Sequence, residues 1–431
     1  MPKIVMVGAG SVIFARRLFI DIIADPELAE SEFVMVDIDR EKVDFITHFA
    51  REVVKQHNLP TKVSSATNVR DAMEGADVAV ASISVGTEED VHADIFIPQK
   101  HGVEQMVGDT IGPGGVFKGL RTAPVMVDIA QAVVDLAPDA WLLNYTNPMA
   151  ICTWAAISAT GVNMVGLCHS VQGTAGQLAG YMGFPAEELD YWCAGINHMA
   201  WYLSLQRNGE DVYPLLREAM DNDETYAKDR VRFEVMRHFD YFVTESTRHM
   251  GEYVPYFYKS PKHVDDLGME VRQPREGWSD QRWQGYVDRL TAELEADEPV
   301  SLHQSAEYAV QIIRGLVTGT PTRINASVMN DGAIENLPAN CCVEVPCMVD
   351  KGRISPCHVG PIPPQLAALN MSNVGLQESA VEAVLERDLR KAYYAVALDP
   401  HAASRLTLPE MRSMFDEMVD AQTDSLAAYI E

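Results

Sequence analysis

Residues 3–22 read KIVMVGAGSVIFARRLFIDI, and this stretch decides the fold of the N-terminal half. An apolar run over 3–7 leads into the turn Gly8-Ala9-Gly10-Ser11, and an amphipathic stretch follows it. The pattern predicts a strand, a tight turn and a helix, in which small residues let the backbone approach a pyrophosphate at the helix N-terminus. Ile13 replaces the third glycine of the usual dinucleotide motif, so the glycines alone are weak evidence.

The residues downstream supply the context that the glycine turn requires. A second apolar run ends at Asp37, where a carboxylate can accept hydrogen bonds from the adenosine ribose and disfavours the 2′-phosphate of NADP. Further strands are expected at 62–66 and 77–83, and helical stretches separate them. This alternation predicts an α/β fold with a parallel sheet of the Rossmann type. We therefore expect NAD to bind at Gly8, Gly10, Ser11 and Asp37, the alternative being a parallel sheet with an incidental glycine turn.

The composition of the 431 residues excludes several classes of protein. Lys and Arg number 34 against 62 Asp and Glu, a formal charge of −28, so nucleic acid and membrane surfaces are poor partners. Residues 140–186 contain no Asp, Glu, Lys or Arg, but Asn, Gln and Pro interrupt them, which indicates buried interior rather than a membrane span. Seven cysteines and an N-terminus without a signal-peptide pattern predict a cytoplasmic protein with reduced thiols.

Two polar motifs in the middle of the chain follow predicted core elements. Asp109 begins a glycine-rich loop before a helix expected from about Val116, which indicates either a helix cap or a loop that lies against a ligand. Asn147 follows a strand and precedes Pro148, at the edge of the sheet where α/β folds bind their ligands. Capping of the next helix is the more common role of such an asparagine, and both roles can hold together.

Cys168 and His198 are the candidate metal ligands. Cys168 ends the strand expected after Asn163, and His198 lies in the apolar run 191–199. Taken singly, each residue is typical of a protein core. Together they offer a thiolate and a neutral imidazole, which suit a divalent transition metal and leave coordination positions open for substrate. A pattern of two ligands is not specific, so both interpretations stay open.

The sequence after residue 196 is typical of an α+β domain. Aromatic and acidic residues over 239–257 are interpreted as a packing cluster. Residues 259–300 are interpreted as a surface excursion followed by an exposed helix. In the last third, strands are expected near 324–330 and 341–349, and these two strands could pair with each other. Helices are expected near 376–398 and 409–428.

The ordered set of motifs resembles glycoside hydrolase family 4, most closely its α-galactosidase branch. The resemblance runs nearly end to end and is weakest over 259–300. It implies a Rossmann-type sheet like that of lactate and malate dehydrogenases, over residues 1–195, and an α+β domain for substrate, metal and oligomerisation over 196–431. The matching elements are Gly8–Ser11, Asp37–Asp39, Asp109–Gly115, Asn144–Pro148, Cys168–Thr174, Gly195–Met199, Glu252–Pro255, Asn330–Gly332, Asn336–Pro338 and Cys341–Val345.

This resemblance implies hydrolysis by a redox route rather than by two carboxylates. In that route NAD+ removes hydride from sugar C3, a base removes the C2 proton, and the C1–O bond is lost by elimination. Water then adds at C1, and the retained NADH returns the hydride.

The resemblance also assigns roles to individual residues. Cys168 and His198 hold a divalent metal, usually manganese, while His169 protonates the leaving oxygen. Tyr253 is the base at C2, which requires its pKa to fall below the ordinary value of about 10. Asn147 binds substrate, and we expect the same of Asp109.

The residues after Cys168 resemble those of the α-galactosidase branch, so the expected substrate is an α-galactoside. Because 140–186 contain no basic residue, a 6-phospho sugar is disfavoured. An α-glucosidase or α-galacturonidase of the same family is the main alternative. A 2-hydroxyacid dehydrogenase and a non-catalytic NAD-sensing module are less favoured, since neither needs a thiolate beside its substrate. The family tends to form homodimers or homotetramers, and we expect one of these.

Overall fold

The computed structural model describes residues 1–269, 271–273, 278–305 and 307–430, with the side chains of 278–280 left out. Twelve strands lie in this part of the chain. They are β1 (Lys3–Val7), β2 (Glu32–Val36), β3 (Lys62–Ala66), β4 (Val78–Ala81), β5 (Trp141–Asn144), β6 (Met164–Gly166), β7 (Asp190–Ile196), β8 (Met199–Arg207), β9 (Glu210–Asp211), β10 (Thr322–Met329), β11 (Cys342–Asp350) and β12 (Arg353–Pro356).

The helices that cover the sheet are numbered along the chain in the same way. They are α1 (Val12–Ile23), α2 (Arg40–Gln56), α3 (Val69–Met73), α4 (Glu88–Lys100), α5 (Gly112–Leu136), α6 (Met149–Thr160), α7 (Ser170–Met182), α8 (Tyr213–Met220), α9 (Asp223–Lys228), α10 (Arg230–Phe239), α11 (Thr247–Tyr253), α12 (Pro261–Asp266), α13 (Trp278–Leu294), α14 (Tyr308–Thr318), α15 (Pro364–Glu386), α16 (Leu389–Ala397), α17 (Pro400–Ala403), α18 (Leu408–Ala421) and α19 (Ala427–Ile430).

The first six strands form a parallel sheet in the order β3-β2-β1-β4-β5-β6, which is the order of a dinucleotide-binding domain. Helices on both faces bury the central strands, so residues 4–7 of β1 and all of β4 are buried. The strands predicted at 62–66 and 77–83 are confirmed as β3 and β4. The Rossmann-type sheet that the sequence predicted is therefore present.

An antiparallel extension continues the same sheet beyond β6. Strand β10 pairs with β6 at Ser327 and Gly166, and with β11 along eight residues, which confirms the predicted pair of strands. Strand β11 pairs in turn with β7 at Glu344 and Gly195. The chain thus forms one continuous sheet, and β7 extends to Ile196, so the division of roles between 1–195 and 196–431 stays a prediction.

Several helices differ in their bounds from those expected. Helix α5 begins at Gly112 rather than near Val116, because the glycines of the preceding loop are drawn into its first turn. The helix expected near 376–398 is two helices, α15 and α16, since the chain turns at Arg387 with φ +56°. The exposed helix expected within 259–300 is α13, and part of that excursion lies outside the described residues. No described helix has both the length and the apolar character needed to cross a membrane.

Candidate active site

The glycine turn lies between β1 and α1, where the sequence placed it. Gly8 has φ +84°, and a Cβ there would lie 2.2 Å from the Ser82 carbonyl oxygen, so no other residue fits. Ser11 is exposed at the N-cap of α1, and its side chain makes no capping hydrogen bond. The Ser11 side chain therefore leaves the first N–H groups of α1 uncapped at this end of the sheet.

Asp37 makes a contact that the sequence analysis did not foresee. One of its carboxylate oxygens accepts the Gly10 N–H at 2.7 Å, and the other accepts the Asp39 N–H at 3.0 Å. A Cβ at Gly10 would lie 2.5 Å from that first oxygen, so the glycine permits the approach. Asp37 thus braces the glycine turn, and its oxygens keep lone pairs for ribose hydroxyls.

Cys168, His198 and Glu245 converge at the carboxyl end of β6. Their ligand atoms, one sulfur, one ring nitrogen and one carboxylate oxygen, all lie within 4.8 Å of one another. The Cys168 thiol donates to Ser170 Oγ at 3.2 Å and to Glu245 Oε2 at 3.7 Å. Cys168 and His198, proposed as metal ligands from the sequence, are therefore neighbours, and Glu245 is a third candidate ligand that the sequence analysis missed.

His198 reaches this cluster from a tight turn rather than from within a strand. The apolar run 191–199 is divided between β7 and β8, which are antiparallel and joined by Asn197 and His198. His198 has φ +65°, a conformation in which histidine is more common than most residues. The turn buries its ring and leaves Nδ1 without a hydrogen-bond partner among the described residues.

Burial and mutual attraction set the charges of this cluster. Burial raises the pKa of the Cys168 thiol well above its ordinary value, and the Glu245 carboxylate adds to the effect. Burial also lowers the pKa of His198 to about 4. Burial raises the pKa of Glu245, but His198 and His249 outweigh it, so this pKa is lowered overall. The cluster thus holds a carboxylate between a neutral thiol and a neutral imidazole, to which a cation would be attracted.

Helix α11 supplies two further side chains on one face, since they are four residues apart. His249 Nδ1 lies 3.2 Å from Glu245 Oε1, and its ring centroid lies 4.5 Å from that of His198. The Tyr253 ring centroid lies 6.2 Å from that of His198. Burial raises the pKa of Tyr253 well above its ordinary value, which is opposite to the shift that a base needs. Tyr253 therefore lies beside the cluster, but its phenol is protonated without a cation.

Asp109 faces the same space from the glycine-rich loop. Its Oδ2 accepts from Lys118 Nζ at 3.1 Å, and its Oδ1 lies 4.0 Å from His249 Nε2. Burial raises the pKa of Asp109, but Lys118 and His249 outweigh burial and lower it overall. The next residue, Thr110, lies beside the Tyr253 side chain. The loop is thus part of the site, and Lys118 and His249 are members that the sequence analysis did not single out.

His169 lies beside the cluster, and Asn147 follows the strand next to β6. His169 is exposed at the N-cap of α7, next to Cys168, and it is near enough to His198 to help lower that pKa. Asn147 is half-buried after β5, the neighbour of β6, and its side chain makes no hydrogen bond to the described residues. Pro148, not Asn147, is the N-cap of α6, so the capping interpretation of Asn147 is wrong.

Unpartnered polar atoms indicate that this space takes a polar ligand. Asp109 Oδ1, Asn197 Nδ2 and His198 Nδ1 are buried and make no hydrogen bond to any described residue. Buried polar groups in native proteins are nearly always paired, so these three atoms, on His198, its chain neighbour and the glycine-rich loop, need a partner. Sulfur, nitrogen and oxygen donors suit a divalent transition metal, so these residues fit the ion that the sequence predicted.

Comparisons with known proteins show which family the chain belongs to. The model of the family 4 glycosyl hydrolases matches residues 3–184, and that of the family 4 glycosyl hydrolase C-terminal domain matches residues 193–402. The α-galactosidase of Bacillus subtilis is 36% identical over 440 residues, covering 100% of both chains. The α-galactosidase of Rhizobium meliloti is also 36% identical, covering 99% of this chain and 89% of its own.

Solved structures show the same fold over almost the whole chain. The lplD protein of Bacillus subtilis has a TM-score of 0.87 at 26% identity, covering 97% of this chain and 99% of its own. A 6-phospho-α-glucosidase from gut microorganisms, in complex with NAD and Mn2+, has a TM-score of 0.81 at 21% identity, covering 98% of each chain. A lactate dehydrogenase from Eimeria maxima has a TM-score of 0.53 at 14% identity, covering 92% of this chain and 96% of its own.

These matches confirm the dehydrogenase-like fold class and the resemblance that the sequence motifs indicated. Both family models together cover most of the chain, and two relatives above 30% identity span nearly all of it. The chain therefore belongs to family 4 of the glycosyl hydrolases and is a glycosidase.

Proposed function

We propose that the chain is an NAD- and divalent-metal-dependent α-galactosidase that cleaves its substrate through transient oxidation at C3, loss of the C2 proton and elimination at C1. The observation that carries the proposal is the convergence of Cys168, His198 and Glu245 within 4.8 Å at the carboxyl end of β6. Such a site keeps positions open for substrate oxygens. The two α-galactosidases at 36% identity support the choice of sugar.

Gly8, Gly10, Ser11 and Asp37 are the residues that would hold NAD. When bound, NAD supplies a reversible acceptor for hydride. The glycines keep side-chain bulk away from the turn, the start of α1 offers N–H groups, and Asp37 offers carboxylate oxygens to the ribose. The 6-phospho-α-glucosidase of the same fold, solved with NAD and Mn2+, supports both cofactors.

Cys168 and His198, with Glu245, would hold Mn2+ or another divalent metal. When bound, the ion supplies positive charge that stabilises negative charge on sugar oxygens. The three ligands come from separate parts of the chain, so the folded sheet is needed to assemble them. Because the pKa of the Cys168 thiol is raised, the ion must displace its proton, and metal binding should weaken as pH falls.

Tyr253 is the residue that would accept the C2 proton. Burial raises its pKa, so it becomes a base only where a positive charge nearby opposes burial. His169 would donate a proton to the leaving oxygen, and its exposed place beside the cluster suits contact with an aglycone that enters from solvent. Asp109 and Asn147 would bind sugar hydroxyls, since each offers a polar group at the edge of the site.

A panel of p-nitrophenyl α- and β-glycosides, assayed with and without NAD+, Mn2+ and a thiol reductant, tests the proposal. We expect cleavage of the α-galactoside when all three are present, with no more than one equivalent of NADH per site. Steady accumulation of NADH would indicate a 2-hydroxyacid dehydrogenase instead. Preference for an α-glucoside or α-galacturonide would assign the enzyme to another branch of the same family. Full activity after removal of the metal by a chelator would contradict the metal assignment.

The variant Cys168→Ser tests metal binding separately from NAD+ binding. Cys357→Ser, outside the site, is the matched control. Cys357 is half-buried after β12, whereas Cys168 is buried in the cluster. We expect Cys168→Ser to lose Mn2+ binding and turnover while it binds NAD+ normally, and Cys357→Ser to keep all three. Unchanged turnover in Cys168→Ser would refute the role of the thiol.

We also infer a cytoplasmic homodimer or homotetramer. The family resemblance supports the oligomer, and seven cysteines without a disulfide in the described chain fit a reducing compartment. Sedimentation equilibrium of the purified protein tests the oligomer: a monomer at micromolar concentration would contradict it.

A further inference from the structure

Glu252 lies on α11 between His249 and Tyr253, and it joins that helix to the glycine-rich loop. Its Oε1 accepts the N–H of Val107 at 2.7 Å, and its Oε2 accepts the N–H of Gly108 at 3.1 Å. The residue is 2% exposed, so water does not compete for these bonds. A carboxylate that accepts two backbone hydrogen bonds makes charge-assisted contacts, which are stronger than neutral ones.

The peptide group between Val107 and Gly108 is held on both sides. Arg272 Nη1 donates to the Val107 carbonyl oxygen at 3.1 Å, while Glu252 accepts from the N–H of the same peptide group. Gly108 itself has φ +64°, a conformation that glycine adopts without strain. This one peptide group therefore fixes the conformation from which the rest of the loop continues.

Two members of the candidate site follow directly after this peptide group. Asp109 bonds to Lys118 and faces His249, and Thr110 lies beside Tyr253. The loop thus places Asp109 and Thr110 beside His249 and Tyr253, which lie on α11. Glu252 makes two direct hydrogen bonds between the start of this loop and α11.

We propose that Glu252 is a positioning residue whose two hydrogen bonds tie the loop to α11. This tie keeps Asp109 and Thr110 in place relative to His249 and Tyr253. The proposal rests on the proposed function, because it assigns Glu252 a part in the same reaction. It does not require Glu252 to touch substrate, cofactor or metal. A misplacement of about 1 Å in such a site can cost about 100-fold in rate, so the tie has a measurable effect.

The variant Glu252→Gln tests the tie because it keeps the size of the side chain and replaces one acceptor oxygen by an amide nitrogen. We expect faster hydrogen exchange at the Val107 or Gly108 amide and a fall in kcat of about 10- to 100-fold. The dissociation constants of NAD+ and Mn2+ should stay within about twofold, since the ligands of both lie elsewhere. A stabilising carboxylate with no positioning role would lower the melting temperature and leave kcat per folded enzyme unchanged.

Glu410→Gln is the matched control. Glu410 also accepts a backbone N–H, that of Thr407 at 2.8 Å, but it does so at the exposed start of α18. This variant should keep the wild-type kcat and the wild-type exchange at Val107 and Gly108. If Glu252→Gln does not fold, Arg272→Ala loosens the same peptide group from its carbonyl side and is expected to raise exchange at Gly108 and lower kcat.

The outcomes separate this proposal from the proposed function. A wild-type protein that cleaves no aryl glycoside with NAD+ and Mn2+ overturns the proposed function, and the exchange rates still show whether the tie exists. If the wild type cleaves the α-galactoside and Glu252→Gln matches its kcat, the positioning role is overturned and the proposed function stands. Wild-type exchange at both amides in Glu252→Gln overturns the tie itself.

Discussion

The Oε2 atom of Glu245 lies 3.4 Å from Nε2 of His198. Glu245 lies just before α11 and His198 lies in the turn between β7 and β8, so the contact joins these two segments. Together with Cys168 they form the three-residue cluster. Glu245 has φ +66°, an uncommon conformation for a residue with a side chain. The backbone N–H of the next residue, Ser246, donates to Glu245 Oε1 at 3.0 Å. Backbone strain of this kind clusters at functional sites, which fits a third metal ligand at this position.

The variant Glu245→Gln should weaken Mn2+ binding at least about 10-fold, because the cluster loses its negative charge while keeping its shape. Calorimetric titration of Mn2+ in the presence of NAD+ measures the effect. Glu335→Gln is the matched control, since Glu335 also pairs with a histidine, His358 at 3.3 Å, but on the exposed surface. Equal Mn2+ affinities for the two variants would show that Glu245 is not a ligand.

Tyr253→Phe should lower kcat by about 100-fold or more, because removal of a positioned base typically costs two to four powers of ten. Affinities for NAD+ and Mn2+ should be unchanged, since the phenol is not among their ligands. Tyr258→Phe is the matched control: Tyr258 is also buried and lies nearby in sequence, but its ring lies beside His401 rather than His198. Comparable losses of kcat in both variants would indicate a packing role for Tyr253.

Glu344 predicts a pH dependence of stability for the metal-free protein. It is fully buried on β11, and burial, with Glu245 adding, raises its pKa from the ordinary 4.5 to about 8. Between these values the folded protein binds a proton that the unfolded chain has lost. The contribution of Glu344 to the free energy of unfolding therefore falls as pH rises from about 4.5 to about 8, by at most about 1.4 kcal/mol per pH unit.

Urea unfolding at pH 5, 6.5 and 8 in the presence of EDTA measures this slope. Glu344→Gln should remove the Glu344 contribution to the slope, so the variant gains stability relative to the wild type as pH rises. Glu298→Gln, a change at an exposed glutamate, should keep the wild-type slope. Parallel curves for the wild type and Glu344→Gln would show that the buried carboxyl does not titrate in this range.

The N-terminal half could be predicted from the sequence because its signals are local. A strand, a glycine turn and a helix follow one another within 3–22, and Asp37 ends the next strand. Each element is defined by apolar periodicity and by residues that small turns require. The bracing of Gly10 by Asp37 could not be predicted, since it depends on how closely β1 and β2 approach at their carboxyl ends.

The candidate site was predicted in part, because its residues are far apart in sequence. Cys168 and His198 were paired by their donor atoms and then by the family resemblance, whereas the apolar run that contains His198 gave no sign of the turn between β7 and β8. Glu245 was overlooked because it lies in an aromatic stretch that predicts packing, and its approach depends on tertiary contacts. His249 carried a usable signal, since it stands four residues before Tyr253 and shares its helix face.

The most direct test of the account is the position of deuterium in the product formed in deuterated water. The purified protein, with NAD+, Mn2+ and p-nitrophenyl α-galactoside, should release galactose that carries deuterium at C2, because the proton removed there exchanges with solvent. NMR or mass spectrometry of the sugar measures it. Galactose released at the full rate with protium at C2 would contradict the account, since cleavage would then proceed without loss of the C2 proton.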